Sequence, residues 1–436
     1  MENTETLCDQ LKQIVGKTDN LLLTKVSEYS YDNCIPQVVV EPETVKDIQN
    51  IQRYASKNSY TVLPAGSGTK LGIGNLAQSP DIVLSTKRLN KVIEYEPADL
   101  TVTVEAGMLL KDLQATLSKH RQFLPFDPPF ADRCTIGGIV ATNTSGPQRL
   151  RYGTARNLVL GMHVVHADGK MVKSGGKVVK NVAGYDLNKL YIGAFGTLGI
   201  ITDVALKLAP LPLHQEIIIA PFHSIQDAIR TGLNVVSSQS LPMFVNMLFN
   251  CELNGLTEKK PTLVLGFAGD PETVRWQVNF VQTLLQQTDN LGVQKFESES
   301  YQNLKKILQE FPTVEQSDNT VIVKINFKRT EIIKFVEFAI RDNHEMIALL
   351  GNGVLYLKVH LESNCDFNHI SNMLTHLRES TIKMGGNLII ESAPIGLKKL
   401  IDVWGPIGNT LSIMKQIKSQ FDTNNILNPG RFVSNI

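Results

Sequence analysis

The chain has little that would tie it to a membrane, a metal cluster or a polyanion. Its 436 residues contain no run of about 18 apolar side chains, so a spanning helix is not expected. Five cysteines, Cys8, Cys34, Cys134, Cys251 and Cys365, form no C-x-x-C pair. That spacing argues against an iron–sulfur ligand set or a disulfide framework, and for free thiols in a reducing compartment. Charge is nearly balanced, with 43 basic against 42 acidic side chains, so nothing marks a nucleic-acid partner. The opening Met1-Glu2-Asn3-Thr4-Glu5 is acidic and polar where a signal peptide would be basic and then apolar. A soluble cytoplasmic protein is expected, with any membrane association peripheral and made through partner subunits.

What is present describes a globular protein too long for one core. Hydrophobic residues make up 42% and charged residues 19%, and the length implies two or three domains. Helical spacing over 5–16 precedes a strand at 37–40, a helix from Val45 to about Asn58 and a strand at Thr61–Leu63. Strands at 82–85 and 101–105, a helix at 108–119 and a hairpin around Ala167-Asp168-Gly169-Lys170 follow, giving an α+β arrangement. The proline-rich "APLPL" at 209–213 marks a boundary. Beyond it, strands and helices alternate, which predicts split β-α-β units forming a sheet covered on one face by helices. No internal repeat is visible.

Glycine carries the chemistry. "LPAGSGTKLGIGN" (63–75) drops from a strand into Gly66, Gly68, Gly72 and Gly74. It fits neither the Walker order nor the Rossmann fingerprint, yet consecutive free N–H groups with the Ser67 and Thr69 hydroxyls would cradle a phosphate. Read alone, such a run is more often a simple turn. "TIGGIVATNTSG" (135–146), within a long loop at 126–146, and "GAFGTLGIIT" (193–202) are two further small-residue runs. Two such loops could clamp a diphosphate between them.

Four ordered stretches together resemble a known family. "PAGSGTKL", "TIGGIVATNTSGPQRLRYGTARNLVLGMHVVHADG", "KNVAGYDLNKLYIGAFGTLGIIT" and "ILNPGRF" are similar to flavin-binding oxidoreductases of the vanillyl-alcohol-oxidase type. Within these the chain resembles the glycolate oxidase (glycolate dehydrogenase) group, and "GGKVVKNVAGYDLNKLYIGAFGTLG" its FAD-binding accessory subunit. The resemblance implies an N-terminal helical segment (1–34), a two-subdomain PCMH-type FAD domain (35–212), a ferredoxin-like α+β cap (213–393) and a returning segment (394–436). By position, Pro64, Ala65, Gly66, Ser67, Gly68 and Thr69 would wrap the pyrophosphate. Thr135, Gly137, Gly138, Asn143 and Gly146 would line the opposite side and approach the isoalloxazine. Gly196, Gly199 and Ile201 would hold the adenosine end, and Asn428 would return towards the flavin ring.

Departures from the family pattern shape the rest. No His stands beside Gly68-Thr69-Lys70-Leu71 where covalent members place their tether, so FAD is expected to bind noncovalently. Cys134 as an alternative tether reads more simply as a small packed thiol. The hydroxy-acid site of catalytic subunits carries H-x-x-x-G-D-G-N-x-H and E-H-G. Here "ALLGNGVLYLKVH" (348–360) keeps Gly351 and Gly353 but has Leu349, Leu350 and Asn352 at the His and Asp positions. Glu391 is followed by Ser392 rather than His, and His360 stands alone. No metal is expected there. Tyr185, Lys180 and Arg151 are left as weak catalytic candidates. Asn181, Asp186, Arg149 and Arg156 read as local or solvated, His163 and His166 as structural, and Lys398-Lys399 as a solvated helix face.

The implied activity is oxidation of glycolate or a similar small 2-hydroxy acid, alongside a catalytic flavin subunit and an iron–sulfur subunit. Two alternatives remain open: a self-sufficient dehydrogenase using Arg or Lys for the carboxylate and Tyr as base, and a flavin-free assembly scaffold.

Overall fold

The structure, a computed structural model, describes residues 2–16, 18–21, 23–176, 185–251, 260–313, 319–341, 344–362 and 364–436. Helix α1 (Glu2–Val15) buries Leu7, Leu11 and Val15 beside the first sheet. Strand β1 (Val38–Val40) leads to α2 (Val45–Asn58), which starts where the sequence places it because Thr44 and Asp47 cap each other reciprocally. Strands β2 (Val62–Ala65) and β3 (Ile82–Ser85) complete a parallel sheet in the order β1-β3-β2. Its strands are almost wholly buried, as a parallel sheet requires.

A second, antiparallel sheet follows. It is built from β4 (Val92–Glu96), β5 (Thr101–Glu105), β7 (Val159–Val165), β8 (Met171–Gly175) and β9 (Ile200–Lys207), in the order β4-β5-β9-β7-β8. The helix α3 (Leu110–Ser118) and a short ribbon of β6 (Gln122–Phe123) with β10 (Ala209–Pro210) flank it. The expected loop at 126–146 is only partly a loop. Ile136–Thr142 forms α4, because Thr135 caps it and Ile136, Ile139 and Val140 pack into the second core. Single-turn helices α5 (Arg149–Tyr152), α6 (Ala155–Leu158) and α7 (Asn188–Tyr191) complete this half. Strand β4 escapes a periodicity reading because Val92 and Ile93 are adjacent rather than alternate, and Ile93 faces solvent.

The remaining strands make one eight-stranded antiparallel sheet. In chain order they are β11 (His214–Pro221), β12 (Phe244–Phe249), β13 (Thr262–Gly269), β14 (Gln294–Glu297), β15 (Thr320–Asn326), β16 (Glu345–Leu349), β17 (Val354–His360) and β18 (Asn387–Ser392). Their spatial order is β14-β11-β13-β12-β16-β17-β15-β18. Helices α8 (Ile225–Val236), α9 (Pro271–Gln286), α11 (Ile332–Arg341) and α12 (Phe367–Lys383) fall so that each half runs β-α-β-β-α-β. The halves read outward identically from the β12–β16 seam, so the sheet is two ferredoxin-like units side by side. The duplication is invisible as a sequence repeat because the two halves share only core periodicity. Those four helices cover one face, over residues such as Ile218, Leu265, Val323 and Leu357. The one-face expectation fails for α10 (Ser298–Glu310), which joins the halves and packs Tyr301, Leu304 and Leu308 on the other face.

After α13 (Ile395–Lys398) and α14 (Leu411–Phe421) the chain returns to the first sheet. Val62 donates to the Ile426 carbonyl at 2.8 Å, and Asn428 N–H donates to Val62 at 2.9 Å. A buried ion pair holds this return. Lys418 Nζ lies 2.6 Å from Asp422 and donates to the Thr197 and Leu427 carbonyls, while Asp422 accepts the Ile426 and Leu427 N–H groups. No helix among the described residues is long and apolar enough to cross a membrane.

Because every polar atom of the Lys418–Asp422 pair is engaged, Lys418→Met leaves a buried carboxylate without its cation. It should lower unfolding free energy by about 3–5 kcal/mol in urea titrations. A change below about 1 kcal/mol would mean the returning segment is held by apolar packing alone.

Candidate functional site

A cleft with about 870 Å³ of open space lies where the three glycine runs converge with Asn428 and Arg431. The first run leaves β2 at Ala65 and turns with Gly68 at φ +78°. Tyr29 Oη donates to the Gly66 carbonyl and Ser85 Oγ sits 3.0 Å from the same hydroxyl, which turns that carbonyl away from the cleft. The N–H groups of Ser67, Gly68 and Thr69 donate to no acceptor among the described residues. Downstream, the Arg431 guanidinium donates to the Lys70, Leu71 and Ile73 carbonyls while stacking 4.8 Å from the Tyr31 ring. Lys398 Nζ donates to the Gly72 carbonyl and to Asp32, each at 2.6 Å. The Gly66 carbonyl and the four consecutive carbonyls of Lys70, Leu71, Gly72 and Ile73 are thereby held by protein donors, and Ser67, Gly68 and Thr69 line the cleft between them.

The reading of Lys398 as part of a solvated face is corrected here: its side chain is 2% exposed, because the Gly72 carbonyl and Asp32 need a cation in that position. Arg431, absent from the sequence-based candidates, appears only as the Arg of "NPGRF", and nothing in a linear pattern reveals that it grips a loop some 360 residues away.

The second run works differently from a donor loop. Gly137 N–H donates to Ala106, Gly138 N–H to Thr135 Oγ1, and Ile136 N–H to Met108, so its donors are spent inside the protein. What Gly137 and Gly138 give the cleft is a flat wall. A Cβ at Gly137 would collide with Ala106, whereas one at Gly138 would meet only Thr135 Oγ1 at 3.1 Å. In the third run Phe195 and Gly196 have positive φ, Gly196 packs on the Pro64 ring, and the Asn428 amide donates to the Phe195 carbonyl at 2.8 Å. Gly199 and Ile201 also line the cleft. Two residues of the sequence reading lie outside its lining. Asn143 closes α4 in the left-handed conformation, and Gly146 approaches Asp127 so closely that no Cβ fits, its N–H donating to that carboxylate at 2.9 Å.

A charged cluster on the eight-stranded sheet acts on the cleft-lining Lys70, although its own residues do not line the cleft. Lys324 on β15 and Glu391 on β18 pair at 3.0 Å, with Lys324 5.4 Å above the Tyr356 ring. Burial disfavours the Lys324 ammonium, but Glu391 and Tyr356 more than offset this and hold it charged. Burial likewise opposes ionisation of Glu391, and Lys324 with Lys70 reverses it, so its pKa falls. Lys70 lines the cleft and lies 5.7 Å from the Phe130 ring; burial pulls its pKa down, against the opposing pull of Glu391. Arg149 Nε is buried with no hydrogen-bond partner among the described residues. Helix α10 closes the side of the cleft. Glu310 accepts the Phe130 N–H, Gln309 donates to the Pro128 carbonyl, and Pro128 and Pro129 line the cleft. Beneath them Asp127 accepts the Gly146 and Gln148 N–H groups, and burial pushes its pKa up to about 6 against the pull of Lys305.

Other candidates fall elsewhere. Tyr185 is 93% exposed, and Lys180 and Asn181 lie outside the described residues. Arg151 reaches the Leu241 carbonyl and Arg156 the Lys189 carbonyl, both at exposed positions. His163 pairs with Asp203 and His166 with Tyr191. Leu349 and Leu350 are packed in the cap's two cores, and His360 pairs with Glu345 at the surface. Cys134 lines the cleft, and burial pushes its thiol up to about 12, which keeps it protonated.

An open row of N–H groups, a flat glycine wall and a two-sheet frame under an antiparallel cap define the class of PCMH-type flavoproteins. Solved structures agree in fold. p-Cresol methylhydroxylase with substrate bound superposes with a TM-score of 0.75 at 17% identity, over 99% of this chain and 97% of that one. Alkyldihydroxyacetonephosphate synthase gives 0.76 at 17%, over 98% and 86%. The chain is an FAD-dependent oxidoreductase that carries two domains of this kind. Residues 36–175 match the FAD binding domain, and 348–432 the C-terminal domain of FAD linked oxidases. Similar curated proteins include glycolate oxidase subunit GlcD of Bacillus subtilis, 28% identical over 92% of this chain and 91% of that one. D-lactate dehydrogenase of Archaeoglobus fulgidus is 28% identical over 91% of each.

The residues present fit FAD: open donors suit a diphosphate, and a wall without side chains suits a flat ring. Gly138 offers the cleanest check, since a Cβ there meets only the Thr135 hydroxyl, at 3.1 Å, and needs it to give slightly. Gly138→Val should raise the FAD dissociation constant at least about tenfold, roughly 1.4 kcal/mol. Thermal unfolding of the apoprotein should stay within about 1 kcal/mol of the parent. Full flavin occupancy in that variant would place the ring elsewhere.

Proposed function

We propose that the chain is the FAD-binding subunit of a cytoplasmic glycolate oxidase-type complex, oxidising glycolate or a similar small 2-hydroxy acid to the 2-oxo acid. It works beside a catalytic flavin subunit and an iron–sulfur subunit. Bound FAD supplies acceptance of two electrons and their onward transfer. The chain's own residues do the rest. Ser67–Thr69 N–H groups hold the diphosphate, with Pro64, Ala65 and Gly66 shaping the turn. Thr135, Gly137 and Gly138 face the ring, Gly196, Gly199 and Ile201 the adenosine end, and Pro128 with Phe130, pinned by α10, excludes water from one side.

The observation that carries the accessory reading is the Lys324–Glu391 pair. An alcohol carbon releases hydride only if its hydroxyl proton is taken, and a positioned base contributes about 10²–10⁴-fold. Glu391, which acts on the cleft-lining Lys70, is neutralised by the Lys324 ammonium, and the family's histidine positions hold the buried Leu349 and Leu350. Electron exchange with another flavin requires proximity and no such base. The names of the relatives support 2-hydroxy-acid chemistry for the assembly as a whole.

One observation favours a self-sufficient dehydrogenase instead. Lys70, with its lowered pKa, and the unpartnered Arg149 Nε could take a proton and hold a carboxylate. A flavin-free scaffold has no use for an open N–H row.

Two experiments follow. Acid precipitation should release all flavin into the supernatant, since Lys70 and Cys134 offer no tether; colour in the pellet would refute noncovalent binding. Anaerobic glycolate or D-lactate should bleach the purified chain slowly or not at all, with fast bleaching when the catalytic subunit is added. Rapid bleaching by the isolated chain, abolished in Lys70→Met, would establish the self-sufficient reading.

A further inference from the structure

We propose that His214, Glu216 and Glu297 form a divalent-cation site at the outer edge of the eight-stranded sheet, one that takes a zinc-like ion. The site is far from the flavin cleft along the sheet: β14 and β11 are its first two strands, while the Lys324–Glu391 pair lies on its last two.

Register brings the ligands together. Glu216 on β11 and Glu297 on β14 are direct cross-strand partners, and His214 stands two residues before Glu216, on the same face. One ligand atom from each lies within 4.8 Å of the others. His214 Nε2 is 3.6 Å from Glu216 and 4.0 Å from Glu297. Bonds of about 2.0–2.2 Å in tetrahedral geometry separate ligand atoms by about 3.4 Å, so closure needs the separations to shrink by between about 0.2 and 1.4 Å, within reach of side-chain rotation. An imidazole with two carboxylates is a donor set for zinc or a neighbouring first-row ion rather than for calcium, which takes six to eight oxygens.

The electrostatics want a cation there. Two carboxylates placed directly opposite one another repel. The Glu216 side chain is 4% exposed, yet its Oε1 accepts no hydrogen bond among the described residues. Its remaining company is Lys295 Nζ, 3.7 Å away on a half-exposed side chain, and the His214 ring. A buried carboxylate with two loose partners is under-compensated. An ion bound by His214 and both carboxylates would neutralise it, and the mobile Lys295 head would swing to solvent.

The ion would clip edge strand β14 to β11. Strand β14 ends at Glu297, where α10 begins, and α10 pins Phe130 and Pro128 over the cleft. The site therefore anchors the start of the helix whose far end closes the flavin site.

The test is titration of chelator-treated, FAD-loaded protein with Zn²⁺, and separately with Ca²⁺, by calorimetry and thermal unfolding. One Zn²⁺ should bind and raise the melting temperature, and Ca²⁺ should do neither. Glu297→Gln and His214→Ala, both at accessible positions, should each weaken Zn²⁺ by more than the roughly 10–100-fold that loss of an outer partner costs. Lys295→Ala should bind more tightly, because it removes the competing ammonium. Unchanged affinity in either ligand variant, no saturable binding, or weaker binding in Lys295→Ala would overturn the proposal.

Discussion

One guanidinium determines how the flavin site is arranged. Arg431 accepts no freedom of position: it is buried, stacked on Tyr31, and donates to the carbonyls of Lys70, Leu71 and Ile73. The Gly66 carbonyl, held by Tyr29, shares its peptide with the Ser67 N–H, while Arg431 fixes the segment immediately downstream of the Ser67–Thr69 donors. Lys398 extends the same grip to Gly72. A glycine-rich segment left alone would sample many conformations at an entropic cost of about 1–2 kcal/mol per residue on binding. Two buried cations from the chain's returning segment remove that cost before a ligand arrives.

The division between donor loop and flat wall has the same logic. Ile136, Gly137 and Gly138 use their own N–H groups internally, which lets the two glycines come close to a ring without competing for its polar edge. The charged cluster that acts on Lys70 belongs to the second ferredoxin-like unit, on β15 and β18. The first unit's β14 forms one outer edge of the sheet and the second unit's β18 the other.

Much of this was legible in sequence where local chemistry and periodicity agree. Strand β3, strand β5 and strand β17 fall where alternation or unbroken β-branched runs place them, and α2 starts at its Thr44–Asp47 capping box. The glycine runs pointed to the cleft because backbone freedom after a strand is costly unless used. What escaped depends on distance in sequence. Lys398 reads as solvated until Asp32 and Gly72 are seen beside it, and Arg431 reads as one Arg in a tail. Gly146 looked like a ligand-approach glycine, but its neighbour is Asp127; close approach to protein and to cofactor leave the same mark in a sequence. The antiparallel pairing of β14 with β11, and with it the His214 cluster, has no local signal at all.

The separation between Lys70 and Arg431, 361 positions, has a consequence for how the protein is made. Translation at about 5–20 residues per second delivers the glycine loop well before the cation that orders it. During that interval the first sheet can fold, but its phosphate loop lacks both of its clamps and the strand-like partner that Leu427 later gives Val62. Cofactor capture is therefore a late event on the folding pathway, coupled to docking of the returning segment, and ligand binding and tertiary closure share one free-energy step. Flavin supply during synthesis then acts on the yield of closed protein, with FAD serving as a folding ligand as much as a redox group.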